Sequence, residues 1–186
     1  MRRINMAGNT KTRDEVLRRE MRQIEGGWYA ADKINRSRER LQRLGYFSDV
    51  NVETPAVPGT TDQVDLNYSV TEKPTGSIMA GAGFSSSEGL VLSGSISQQN
   101  VFGSGNFIAA QVNSGSINKI YSLSYTNPYF TDDGVSRGFD IYKRNVNPTS
   151  LSVTSYKTST LGGGIRFGIP LNEKDTVSLG LATGED

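Results

Sequence analysis

Two hydrophobic periods divide the chain. Up to about residue 73 short alternating stretches flank two segments of helical spacing, and beyond it apolar positions alternate almost strictly with a period of two. Residues 2–6 alternate basic and apolar before Gly8, Asn9 and Thr10, which predicts a short strand and a turn. Thr12 and Glu15 have capping-box spacing. They predict a helix over 13–23 with Val16, Leu17, Met21 and Ile24 on one side, and the basic faces of this helix and the next, interspersed with Glu15, Glu20, Glu25 and Glu39, read as solvated and not as a polyanion site. After Gly26 and Gly27, a second helix over 31–44 turns Ile34, Leu41 and Leu44 inward, and Gly45 supplies a left-handed cap. Alternation over 47–53 and 63–72 around Pro55, Pro58 and Gly59 predicts a hairpin. The order is β-α-α-β-β. Trp28 has two readings, a plug of this small core, which is favoured, or an exposed docking anchor.

Beyond Pro74 seven alternating segments follow, near 76–84, 90–97, 107–113, 121–126, 139–144, 161–169 and from 176 onward. One face carries Ile78, Leu92, Leu123, Ile141 and Ile165; the other carries Ser, Thr, Gly and Asn until Asp140. A soluble sandwich usually dresses its outward face in Lys and Glu, whereas a small polar face suits the lumen of a transmembrane barrel. Tyr121, Tyr125, Tyr129, Phe130, Phe139 and Tyr142 supply candidate interfacial aromatics. A soluble Gly/Ser-rich β domain is the alternative.

Charge sharpens the division. Residues 1–73 hold 13 basic and 11 acidic residues with 5 Gly, while 74–186 hold 7 and 8 with 16 Gly, and between Pro74 and Thr131 only Glu88 and Lys119 are charged. The net charge of +1 gives no general attraction for nucleic acid. The absence of Cys and His removes disulfides, thiolate or imidazole metal sites and Ser-His or Cys-His catalysis. No cofactor or metal is expected. A carboxylate enzyme would have to use Asp132, Asp133 and Asp140, and Asp132-Asp133-Gly134 after Pro128 reads far better as a turn.

Several long motifs then occur in order: TKTRDEVLRREMRQIEGGW at 10–28, RERLQRLGYF at 38–47, VPG at 57–59, DQVD at 62–65, NPYFTDDGV at 127–135 and GIPLN at 168–172. Together they resemble the last POTRA domain and first barrel strands of the BamA family of outer-membrane barrel-assembly factors. The resemblance implies a periplasmic POTRA domain over 1–73, three strands covered by two helices, and over 74–186 the opening strands of a sixteen-stranded outer-membrane β-barrel. It implies a non-enzymatic activity, the folding and insertion of unfolded outer-membrane protein clients within a multisubunit complex in the lipid bilayer.

The family's helical-repeat lipoprotein subunit would dock on Arg22, Glu25 and Trp28. The first barrel strand, with Gly76, Ile78, Ala80, Gly81 and Gly83, would form a weak lateral seam open to client strands, although these glycines equally suit a crowded, curved barrel wall. Asn127, Pro128, Tyr129 and Phe130 form a family motif. The alternative within the superfamily is a POTRA-barrel transporter for two-partner secretion or autotransporter assembly. Without a signal peptide and with seven strands, where bacterial barrels close with an even number from about 8 upward, the chain is expected to be a piece that neither inserts nor folds its barrel part alone. Residues 1–73 are expected to fold alone.

Overall fold

The computed structural model describes residues 1–147, 158–172 and 175–185. It resolves into two compact units: residues 1–75 together with Phe102–Gly105, and the remainder.

The first unit is built on three strands, β1 (Ile4–Ala7), β2 (Phe47–Glu53) and β3 (Leu66–Glu72), in the order β1-β3-β2, with β1 parallel and β2 antiparallel to β3. Helices α1 (Asp14–Arg18) and α2 (Ala31–Arg43) cover it. Val16 and Leu17 from α1, Ile34 and Leu41 from α2, and Ile4, Val50, Leu66 and Tyr68 from the sheet form the core. Each such aliphatic side chain contributes roughly 1.5–3 kcal/mol on burial. Gly45 has φ +76°, the left-handed geometry expected just after α2. The hairpin begins later than its alternation predicts, at Leu66, because Val64 joins only an isolated bridge to Ala56.

The start of the unit departs further from the sequence expectation. Thr12 does not cap α1 through a capping box. Its N–H donates to Glu72 Oε1 at 2.7 Å, its hydroxyl also serves Glu72, and Glu15 stays exposed. The helix ends at Arg18 instead of continuing to residue 23. Glu20 and Met21 turn their N–H groups to the carbonyls of Leu17 and Arg18, a tightening three-residue pattern, and Arg22 N–H donates to Ser37 Oγ at 2.7 Å. A side chain on α2 therefore takes the donor that a longer α1 would use internally. Glu20 is buried against Arg40, at 2.8 Å, instead of belonging to a solvated face. Ile24, expected inward, is exposed.

Glu72 closes this end of the sheet. Burial raises its carboxyl, but the hydroxyl and N–H of Thr12, the N–H of Lys11 and the hydroxyl of Thr10 outweigh that and hold it at about 2. The Arg2 guanidinium, hydrogen-bonded to both oxygens of Asp65, likewise holds that carboxyl below its usual range.

The segment Phe102–Gly105 seats on the same unit. Arg13 N–H donates to the Gly103 carbonyl at 3.0 Å and the buried Tyr46 hydroxyl to the Gly105 carbonyl at 3.1 Å. Gly103 has φ +74°, and a Cβ there would lie 1.8 Å from the Lys11 carbonyl oxygen.

The second unit is one antiparallel sheet of seven strands in consecutive order: β4 (Gly76–Ser85), β5 (Gly89–Gln99), β6 (Phe107–Ser114), β7 (Asn118–Asn127), β8 (Ser136–Val146), β9 (Thr158–Pro170) and β10 (Thr176–Glu185). The pairing sets Ile78 opposite Ile96, Leu123 opposite Ile141 and Phe139 opposite Ile165, so one face carries an apolar band across the sheet. The sheet is open, with β4 and β10 at its edges, consistent with an incomplete barrel. Among the described residues no helix is long and apolar enough to cross a membrane, which says nothing of strands.

Candidate functional site

Three regions gather the residues singled out in the sequence. The first is the loop between α1 and α2. Gln23, buried to 4% exposure, holds it from beneath: Nε2 donates to the Trp28 carbonyl at 2.8 Å and Oε1 accepts Ala30 N–H at 3.1 Å. Gly26 has φ +76°, and Gly27 N–H returns to the Ile24 carbonyl at 3.1 Å, closing a turn. Trp28 is 95% exposed, so its reading as a core plug is wrong; the backbone around it, not the indole, is what Gln23 anchors. Ile24 and Tyr29 are exposed in the same loop.

Glu25 is less free than its place suggests. Its Oε1 accepts Ile4 N–H at 2.9 Å and lies 3.8 Å from Arg18. Arg22 shares the loop and donates from its guanidinium to the Met21 carbonyl at 3.4 Å. The loop thus brings Arg22, Glu25 and Trp28 into one segment, presenting an apolar patch beside charges already engaged with the fold. Gln23 carries no distinguishing signal in the sequence, since a clamp between a loop and its own helix connection needs the folded path.

The second region is β4. It pairs with β5 along its length and forms the edge of the sheet, Ile78 and Phe84 being 80% and 84% exposed. Ser77 and Ser97 share a hydroxyl hydrogen bond of 2.7 Å near its start. Its glycines are not equivalent. A Cβ on Gly76 would lie 2.4 Å from Gln98 Oε1 and one on Gly81 3.0 Å from Ser93 Oγ, but one on Gly83 would meet nothing within 4 Å. A Cβ at Gly76 would displace only the end of the flexible Gln98 side chain, the nearest backbone oxygen, that of Ser97, being 3.5 Å away, so crowding within the sheet demands glycine at neither Gly76 nor Gly83.

The third is the turn after β7. Asn127 Oδ1 accepts Tyr129 N–H at 3.1 Å, Phe130 N–H donates to Val135 O at 2.9 Å, and Gly134, at φ +88°, sits beneath the Tyr129 ring. Pro128 lies between the two anchoring residues. This geometry carries Phe130 to Phe167, centroids 6.5 Å apart, and under the guanidinium of Arg137 at 3.8 Å. Arg137 was not singled out in the sequence; the available signal was a cation in the apolar register of β8.

Asp140, one of the three acids considered for chemistry, is committed to Arg166. Arg166 also donates to Ser124 Oγ and Thr126 Oγ1, and Ser124 donates to Asp140 at 2.8 Å. Asp132 and Asp133 lie in the turn. Among the described residues no group of His, Cys, Asp and Glu is disposed to hold a metal ion.

Known proteins resemble both parts of the chain. The POTRA profile (surface antigen variable number repeat) matches residues 1–73 and the Omp85 superfamily domain matches residues 100–186. The outer membrane protein assembly factor BamA of Neisseria meningitidis serogroup B is 47% identical over 180 residues, 96% of this chain and 23% of that protein. BamA of Nitratidesulfovibrio vulgaris is 36% identical over 96% of the chain and 22% of its own length. The crystal structure of Haemophilus ducreyi BamA lacking POTRA domains 1–3 superposes with a TM-score of 0.82 at 38% identity, covering 98% of this chain and 35% of that one. The chain thus spans about a quarter of the curated relatives it matches. With a POTRA module leading into an Omp85 barrel domain, and BamA-like sequence and structure throughout, the chain belongs to the BamA-type Omp85 family.

Proposed function

We propose that the protein carrying this chain folds and inserts β-barrel proteins into the bacterial outer membrane, and that β4 is the strand on which clients assemble. Residues 1–73 are assigned to the periplasm and 74–186 to the opening strands of a sixteen-stranded barrel. The supporting observation is the edge position of β4 in a chain that is BamA-like on both sides of it. An edge strand carries outward N–H and C=O groups, each costing several kcal/mol if left unpaired in hydrocarbon, so the seam is closed or occupied at all times. A client strand supplies the same hydrogen bonds as closure. Exchange between closing strand and client is therefore nearly balanced, and the insertion reaction needs no covalent step.

The 22–29 segment is assigned to the lipoprotein subunit, with Trp28 as the apolar anchor and Arg22 and Glu25 as its charged rim. Fully exposed aromatics contribute little to folding, and Trp is prominent among binding hot spots. The identity to assembly factors on both sides of β4 favours this reading over a transporter of the same superfamily.

These 186 residues hold no Cys, so a cysteine at Ser77 is unique among them, and any cysteine elsewhere in the full-length protein is first replaced by Ser. The full-length Ser77→Cys protein, given a client with one cysteine in its terminal strand during insertion, is expected to form a disulfide-linked intermediate. Insertion at the normal rate with no crosslink at any β4 position would refute the assignment. For the partner surface, charge reversal at Glu25 alone is ambiguous because it removes the acceptor of Ile4 N–H. Trp28→Ala leaves the fold intact and is expected to reduce co-purification of the lipoprotein; undiminished recovery with both variants sinks the assignment.

A further inference from the structure

We propose that Arg137 is a phosphate-binding group for a phospholipid of the leaflet at the POTRA-side end of the barrel strands, an inference that rests on the outer-membrane reading above. Arg137 faces the apolar side of the sheet. It pairs with Phe167 across the β8–β9 ladder, and the two-residue period puts it on one face with Phe139 and Ile141. Its guanidinium carbon lies 3.8 Å from the centroid of Phe130 and 4.9 Å from that of Phe139. Phe139 stacks in turn on Tyr125, centroids 6.5 Å apart.

Among the described residues Arg137 has no ion pair, and its Nε is buried without a hydrogen-bond partner. The acids of the adjacent turn, Asp132 and Asp133, do not pair with it. The charge is therefore supported by aromatic faces and left without a counterion.

A cation on the lipid face is costly at the midplane, by about 2–4 kcal/mol, and nearly free at the interface. Position resolves which applies. Strand β4 enters the sheet from the first unit, and antiparallel alternation returns the ends of β5 and β7 and the starts of β6 and β8 to that same end. Arg137 is the second residue of β8, so it lies where headgroups begin. Lys119 and Lys143 occupy the same face toward the other end, and the apolar band runs between them. A guanidinium set against two rings and without an ion pair among the described residues matches a phosphate diester: planar donors meet two oxygens, and the acyl chains lie along Phe139, Ile141 and Ile165.

The test is native mass spectrometry of the full-length protein in non-ionic detergent, titrated with phosphatidylglycerol. Wild type is expected to retain the lipid. Arg137→Gln is expected to lose about tenfold in affinity, the scale of one charge-assisted hydrogen bond, and Arg144→Gln, on the opposite face, to lose none. Phe130→Leu, which keeps the cation and removes the ring, is expected to weaken retention in the same direction and serves if Arg137→Gln does not fold. Equal retention by wild type and both binding-site variants overturns the proposal. So does displacement of the lipid by inorganic phosphate, which would mark a free-anion site, or by a client's carboxylate-terminated peptide, which would mark a protein site. If the wild-type protein itself forms no heat-modifiable barrel, the outer-membrane reading fails instead.

Discussion

Gly103 shows how strongly one residue can constrain this chain. Its positive φ already disfavours an L side chain, and the Lys11 carbonyl 1.8 Å from a hypothetical Cβ forbids one without backbone movement. Gly103→Ala is expected to break the Arg13 N–H bond to the Gly103 carbonyl and to release the segment from the first unit, read as new protease cleavage around 100–106 in the intact protein. Tyr46 belongs to the same contact. In the 186-residue chain Tyr46→Phe is expected to cost about 1 kcal/mol by loss of the Gly105 hydrogen bond. In an isolated 1–75 fragment, where that acceptor is missing, the same change is expected to be neutral or stabilising, and paired denaturant titrations distinguish the two.

Glu72 makes a pH prediction. Its folded value of about 2 lies below the ordinary 4.5 of a glutamate, so its contribution is complete above about 4.5 and fades as pH falls toward about 2. Thermal melting of the 1–75 fragment is expected to lose stability through that window, and Glu72→Gln to flatten the loss.

At the scale of elements, α1 is short because its neighbours outcompete it. The apolar spacing of Val16, Leu17, Met21 and Ile24 would support three turns, but Ser37 on α2 accepts the Arg22 N–H and Arg40 holds the Glu20 carboxylate. Ser37→Ala removes the acceptor and leaves a part-buried N–H without its partner, which is expected to destabilise the unit by roughly 1–3 kcal/mol in denaturant titration. Strand β4 illustrates the opposite case. Alternation alone predicts its bounds to within one residue, 76–84 against Gly76–Ser85, because a strand with one lipid face and one small polar face has few competitors. What makes it a candidate insertion site is its place in the strand order.

At the scale of the molecule, the charged first half and the charge-depleted second half follow different solvents. The first buries Leu17, Leu41, Leu66 and Tyr68 behind a charged surface; the second turns a sheet of apolar side chains outward and keeps Asp140 and Arg166 paired on the other face. Its two edges, β4 and β10, would leave backbone groups unpaired in lipid, so the 186-residue chain by itself is expected to give no heat-modifiable, protease-resistant band in liposomes. Such a band would show that seven strands suffice, by closure between copies or otherwise.

Periodicity, charge and motif order in the sequence were enough for the β-α-α-β-β order, the seven alternating strands, the turn at Asp132-Asp133-Gly134 and the family. These depend on local spacing and on which solvent each face meets, both written along the chain. The burial of Glu20, the exposure of Trp28, the use of Thr12 and Lys11 to hold Glu72, the docking of Phe102–Gly105 and the bare cation of Arg137 were settled only by tertiary structure. Each turns on which distant group reaches a polar atom first, and that competition exists only once the chain has brought its elements together.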